Sequence, residues 1–209
     1  MRDLYPTDFS GAAALIWHNG RMVFEVRKEK GWERSPGKPA VIGIGAVGGT
    51  IEDGETPIQG LQREAVEEIG GSLNLYPASD TVYVGKDAID RIDDFVLDGL
   101  RPALVWEVVD PIYELGKHVA VYHATTTSDP QPGDLPAVIL SDPDLITRIG
   151  FDTLSISAAV DSSGEVRSCT DFNVPSDGHF LLCNTLRRMM QVHEHDPDVY
   201  ESLVQAPTT

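Results

Sequence analysis

Basic side chains are scarce in this 209-residue chain, where 16 Lys and Arg stand against 33 Asp and Glu for a formal charge of −17. So acidic a surface repels polyanions and argues against a nucleic-acid-coating role. An anionic small substrate would need cations to offset that field. Cysteine is scarcer still: Cys169 and Cys183 make no C-x-x-C pair, which argues against a disulfide framework or a cysteine zinc site. No run approaches the roughly 18 apolar residues of a membrane span. The opening MRDLYPTDFSG has no apolar core of signal-peptide length, so a cytoplasmic protein is expected.

What is present is ordinary for a globular protein. Apolar residues make up 41% and charged residues 23%, which indicates neither disorder nor a fibrous class. The length suits one domain: residues 1–150 are expected to form its body and 151–209 an extension packed on it as a hairpin, a helix and a frayed tail.

GAAALIWH, then Asn19-Gly20, then MVFEVRK reads as a β-hairpin. The loop GWERSPGKP follows, the most basic neighbourhood of an acidic chain, with Arg27, Lys28, Lys30, Arg34 and Lys38 in or beside it. Two readings of Trp32 stand here. Its ring could stack on a base while Arg27 and Arg34 meet phosphate oxygens, or it could fold back onto the core edge. AVIGIGAVG reads as a buried strand that lets another backbone or a ligand approach closely.

Further on, SLNLYP, TVYVGK, ALVWEVVD and KHVAVYHATTT read as strands. DAIDRIDDFVLDGL has Ile89, Ile92 and Val96 at helical spacing, which fits a small surface helix or a partner-facing excursion. LSISAAVDSSGEVRS reads as a second hairpin about Ser163-Gly164, and Leu182, Leu186, Met189 and Met190 mark a last helix that begins near Ser176-Asp177.

Residues 48–71, GGTIEDGETPIQGLQREAVEEIGG, carry the chemistry. Thr56-Pro57 supplies a helix start and Gly70-Gly71 its stop. Ile58, Leu61, Ala65 and Ile69 make an apolar stripe, and Glu64, Glu67 and Glu68 are expected on a separate face. Like charges at i, i+3 and i+4 repel by a few tenths of a kcal/mol per pair. Hard divalent cations, which take oxygen ligands and share them with phosphates, would compensate. Eight residues before Arg63 sits Glu55, placed to pair with it and fix the loop.

Gly49, Glu55, Arg63, Glu64, Ala65, Glu67, Glu68 and Gly70 stand at the spacing G-x5-E-x7-R-E-U-x-E-E-x-G-U, and the stretch resembles the Nudix box. Seven fixed positions at typical residue frequencies would match by chance on the order of 10⁻⁹ per starting point. One position departs, the last aliphatic site, which is Gly71.

The resemblance implies an α/β fold, an α/β/α sandwich around a mixed sheet. It also implies a hydrolase, a Nudix-type diphosphohydrolase or pyrophosphatase. Such an enzyme uses Mg²⁺, with Mn²⁺ as substitute, to cleave a diphosphate linkage in a nucleoside diphosphate derivative. By position, Glu64, Glu67 and Glu68 become metal ligands, joined by the carbonyl of Gly48. Glu64 or a residue outside the box is the base, with Glu67, Arg63 and Glu55 in the catalytic set. Glu114 is either a further carboxylate of the site or an exposed turn residue. Arg27, Trp32 and Arg34 are the substrate-binding candidates. ADP-ribose, nucleotide sugars, dinucleoside polyphosphates and damaged nucleoside triphosphates all stay open as substrates. A homodimer is compatible with the family, and no nucleic-acid polymer or membrane is expected as a partner. The alternative is a non-catalytic Nudix-like sensor of a nucleotide metabolite, against which the intact glutamates count.

Overall fold

The computed structural model describes residues 6–109, 116–152, 154–155, 157–158, 164–169, 175 and 177–207. Its sheet is assembled around β1 (Phe9–His18), an apolar strand whose last eight residues are buried. Asn19 and Gly20 both take positive φ, 50° and 78°, and turn β1 tightly into the antiparallel β2 (Arg21–Val26). The other half of β1 pairs antiparallel with β4 (Val47–Thr50), Ala13 opposite Gly48. From Phe9 to Trp17, with an irregularity at Ser10, β1 also pairs in parallel with β9 (His118–Thr125). A strand paired on both edges and covered on both faces reads as an unbroken apolar run, which is why GAAALIWH does not alternate.

The remaining strands extend this centre. β2 carries β10 (Ala137–Ser141), which carries β11 (Glu165–Ser168). β9 carries β8 (Leu104–Glu107), then β6 (Thr81–Val84) and β7 (Ile89–Ile92). β3 (Val41–Gly45) pairs with β2 and in parallel with β12 (His179–Leu182), and β5 (Asn74–Tyr76) pairs with β9. The sheet is therefore mixed, with twelve strands among the described residues.

Helices cover both faces. α1 (Pro57–Ile69) packs Leu61, Ala65 and Ile69 against Ala12, Ala14, Ile16 and Val23 on one side. On the other side α2 (Asp144–Phe151), α3 (Asn184–His195) and α4 (Pro197–Leu203) pack against Leu15, Phe24, Val26 and Ile44. The architecture is an α/β sandwich around a mixed sheet. No helix among the described residues is long and apolar enough to cross a membrane.

Four local readings change. The last helix starts at Asn184 rather than near Ser176-Asp177, because His179–Leu182, Leu182 included, pairs with β3 as a strand. Residues 89–92 form a strand rather than a helix: Ile92 and Phe95 are buried with Val105, so pairing with β6 overrides the helical spacing. Glu165–Ser168 pairs with β10, and Ser155 of the expected first arm bridges to His179, while the turn of that hairpin, residues 159–163, lies outside the described residues. The segment after Pro197 is α4, capped by the Asp196 carboxylate and anchored by buried Val199, Tyr200 and Leu203, where a frayed tail was expected.

Candidate functional site

Helix α1 starts and stops where its sequence directs. Thr56 accepts from the Gln59 amide while the Gln59 side chain accepts from the Thr56 amide, and Pro57 opens the first turn. Gly70, at φ 69°, ends the helix in the left-handed region. The terminal carbonyls of Glu67, Glu68 and Ile69 are satisfied from outside the helix by the amides of Asp134, Gly133 and Gln131 at 2.9, 2.9 and 3.1 Å. A loop far along the chain thus fixes the turn that bears two of the box carboxylates.

Arg63 joins the acidic loop to the helix. Its Nε and Nη2 donate to both Glu55 oxygens at 2.9 and 3.1 Å, Nη2 also to the Thr50 carbonyl at 2.9 Å, and Nη1 to Glu64 at 2.8 Å. Guanidinium geometry allows all four at once. Hydrogen bonds from Arg63 hold the Glu55 carboxyl below the usual carboxylate range.

The three box glutamates do not share one face. Glu67 is 52% exposed and 3.6 Å from Arg63. Glu64 lies beside Arg63, over Gly49, where a Cβ would come within 2.4 Å of its carboxylate. Glu68 is 7% exposed, because its position seven after Leu61 and three after Ala65 puts it inside the apolar stripe. The expectation of a separate acidic face is corrected for Glu68.

Inside, Glu68 accepts from the Gly48 amide at 3.1 Å. Gly48 has φ 146°, and a Cβ there would strike the Ala12 carbonyl oxygen at 2.2 Å, so this close approach of β4 to β1 requires glycine. The second partner of Glu68 is Glu25 on β2, 2% exposed. Burial, then the Glu25 charge, pushes the Glu68 carboxyl well up, and Arg27 Nη1 donates to the Glu25 carboxylate at 3.0 Å. Glu25 was not singled out in the sequence. The signal was a lone acid between Phe24 and Val26 in an otherwise apolar strand.

Beside these groups lies a cavity of about 240 Å³. Glu25, Arg27, Gly45, Gly48, Trp106 and Thr185 are among its lining residues, so β2, β3, β4, β8 and the start of α3 all contribute. Of the substrate-binding candidates, Arg27 reaches it. Trp32 does not: its ring is 8% exposed in the core, its indole N–H donates to the Arg27 carbonyl at 2.7 Å, and Arg34 sits 5.3 Å from the ring while pairing with Glu29. The stacking reading is corrected for Trp32 because burial at the core edge stabilises the ring more than exposure would. Glu114 lies outside the described residues.

Among the described residues no three His, Cys, Asp or Glu side chains are gathered closely enough to hold an ion as they stand. The donors nonetheless fit a hard divalent cation in kind: Glu64, Glu67, Glu68 and the Gly48 carbonyl offer oxygen alone.

The chain matches no protein-family model and no curated protein. Among solved structures, it is similar to a MutT NUDIX hydrolase from Burkholderia pseudomallei, 16% identical over 94% of this chain and 98% of that one, with a TM-score of 0.40. A NUDIX hydrolase from Nitrosomonas europaea is 15% identical over 96% and 93% of the two chains, with a TM-score of 0.36. A NUDIX-family hydrolase from Clostridium perfringens is 20% identical over 60% of this chain and 73% of its own, with a TM-score of 0.34.

Proposed function

We propose that the protein is a divalent-metal-dependent hydrolase of a diphosphate linkage in a nucleoside diphosphate derivative, such as ADP-ribose or a nucleotide sugar. The observation that carries this reading is the meeting of the box backbone with a cavity. Gly48, whose amide donates to Glu68, and Gly49, over which Glu64 lies, border the 240 Å³ space that Glu25 and Arg27 also line, and Arg63 holds Glu64 to the acidic loop. Glu64, Glu67, Glu68 and the Gly48 carbonyl would hold Mg²⁺ or Mn²⁺. When bound, such an ion neutralises diphosphate oxygens and lowers the pKa of a coordinated water.

The chain's own residues have distinct tasks in this reading. Arg27, with 43% of its side chain exposed, presents a guanidinium to the diphosphate. Glu64 takes the proton of the attacking water as its oxygen bonds to phosphorus and the bridging P–O bond breaks. Arg63 and Glu55 are positioning residues that keep Glu64 in place. Asn184 and Thr185, at the start of α3, line the cavity, which supports a role for that end of the 151–209 segment in selecting the substrate.

The test incubates the protein with Mg²⁺ or Mn²⁺ and a panel of nucleoside diphosphate derivatives, and identifies products by mass. Cleavage of at least one compound, lost in Glu67→Gln with the circular dichroism spectrum unchanged, is expected. Tight binding of one compound with no cleavage in either metal would overturn the reading in favour of a sensor.

A further inference from the structure

We infer that Glu25, on β2 and outside the box, is a further carboxylate ligand of the ion site, an inference that rests on the ion-binding reading above. Alternation along β2 sends Phe24 and Val26 to the α2–α4 side and Val23 to the α1 side, so Glu25 faces α1 with Val23. There it is 2% exposed, Arg27 donates to it at 3.0 Å, and the Glu68 carboxyl lies beside it. A buried carboxylate is costly unless opposite charge compensates it. Here Glu25 and Glu68 have the guanidinium of Arg27 between them for compensation, itself partly in solvent, with Glu64 adding negative charge near Glu25, and Arg63 is committed to Glu55, Glu64 and Thr50. A purely structural Glu25–Arg27 pair would not need a second acid in contact. A divalent cation between Glu25 and Glu68 accounts for both.

The sheet makes room for this carboxylate. Gly45 stands opposite Glu25 in the β2–β3 register, and a Cβ on Gly45 would lie 2.5 Å from Glu25 Oε1. Any side chain at that position would push the carboxylate from its seat. The same carboxylate borders the cavity with Gly48 and Gly49, the backbone that approaches the box glutamates. Ligands from β2 and from α1 would therefore hold the ion from two sides, fixing it relative to the sheet as well as the helix.

Mn²⁺ binding, read as loss of the free-ion electron paramagnetic resonance signal, tests this apart from turnover. The wild type should bind Mn²⁺ saturably. Glu25→Gln should weaken binding by at least about tenfold with its circular dichroism unchanged, and Glu25→Asp should recover part of the loss. Should Glu25→Gln fail to fold, Gly45→Ala, which displaces the carboxylate while keeping the charge, should weaken binding in the same direction. Wild-type affinity in a folded Glu25→Gln, alongside lost affinity in Glu68→Gln, would overturn the inference and leave the ion-binding reading intact. A wild type that binds no Mn²⁺ would overturn both.

Discussion

Gly133→Ala is the perturbation most directly set by the geometry of the box helix. Gly133 sits so close to the end of α1 that a Cβ would lie 2.0 Å from the Glu67 carbonyl oxygen and 3.0 Å from its carbon. Ordinary contact needs about 3.4 Å or more, so the 131–134 loop must retreat by more than 1 Å from a rigid helix end. The amides of Gly133 and Asp134, each 2.9 Å from its carbonyl, then pass beyond hydrogen-bonding distance. Two lost bonds at about 0.5–1.5 kcal/mol each give about 1–3 kcal/mol, less about 0.5 kcal/mol regained because alanine restricts the unfolded chain, a net loss of about 0.5–2.5 kcal/mol. At about 2–4 °C per kcal/mol for a chain of this size, the melting temperature should drop by about 1–10 °C. The freed last turn carries Glu67 and Glu68, so Mn²⁺ affinity should fall with it. Thermal unfolding followed by circular dichroism measures the first effect. A melting temperature within a degree of wild type, or above it, would refute the idea that this loop holds the helix end.

Three further outcomes follow from other parts of the structure. Burial holds the His123 ring, 8% exposed at a second cavity that Tyr76 and Asp80 also line, below its usual pKa. The unfolded chain therefore binds a proton below about pH 6.5 that the folded one resists. This contribution to stability is present above that pH and lost as pH falls toward the folded value, so His123→Gln should flatten the acid side of a stability–pH curve. Arg63→Lys cannot reproduce the contacts to Glu55, Thr50 and Glu64 with one ammonium, and turnover should fall by roughly ten- to a hundredfold with the fold kept, measured as kcat at saturating metal. Leu203→Ala removes a buried side chain of α4 and should cost about 2–5 kcal/mol in denaturant unfolding, whereas a frayed tail would give less than about 0.5 kcal/mol.

These differences trace which features were legible in the sequence. The bounds of α1 are written locally, in Thr56, Pro57, Gln59 and Gly70, and the Arg63–Glu55 bridge follows from eight-residue spacing across one loop. The Asn19-Gly20 turn is equally local. Contacts between distant segments were not legible. Glu25 meets Glu68 because β2 and α1 pack together, and nothing near either residue announces the other. Strand β11 chooses β10, and Trp32 chooses the core over the cavity, by tertiary burial that no short window encodes. Glu68 was misplaced for a different reason: three acids in one short helix suggested one polar face, although the helical angle between Leu61 and Glu68 already put them together.

The dependence of turnover on Mg²⁺ concentration, in wild type and Glu68→Gln, tests the central claim most directly. The account predicts no cleavage of any nucleoside diphosphate derivative under chelation, a saturable rise with added Mg²⁺ in the wild type, and a much weaker rise in the variant. Turnover that ignores the metal, or a nucleotide bound tightly and never cleaved, would contradict it.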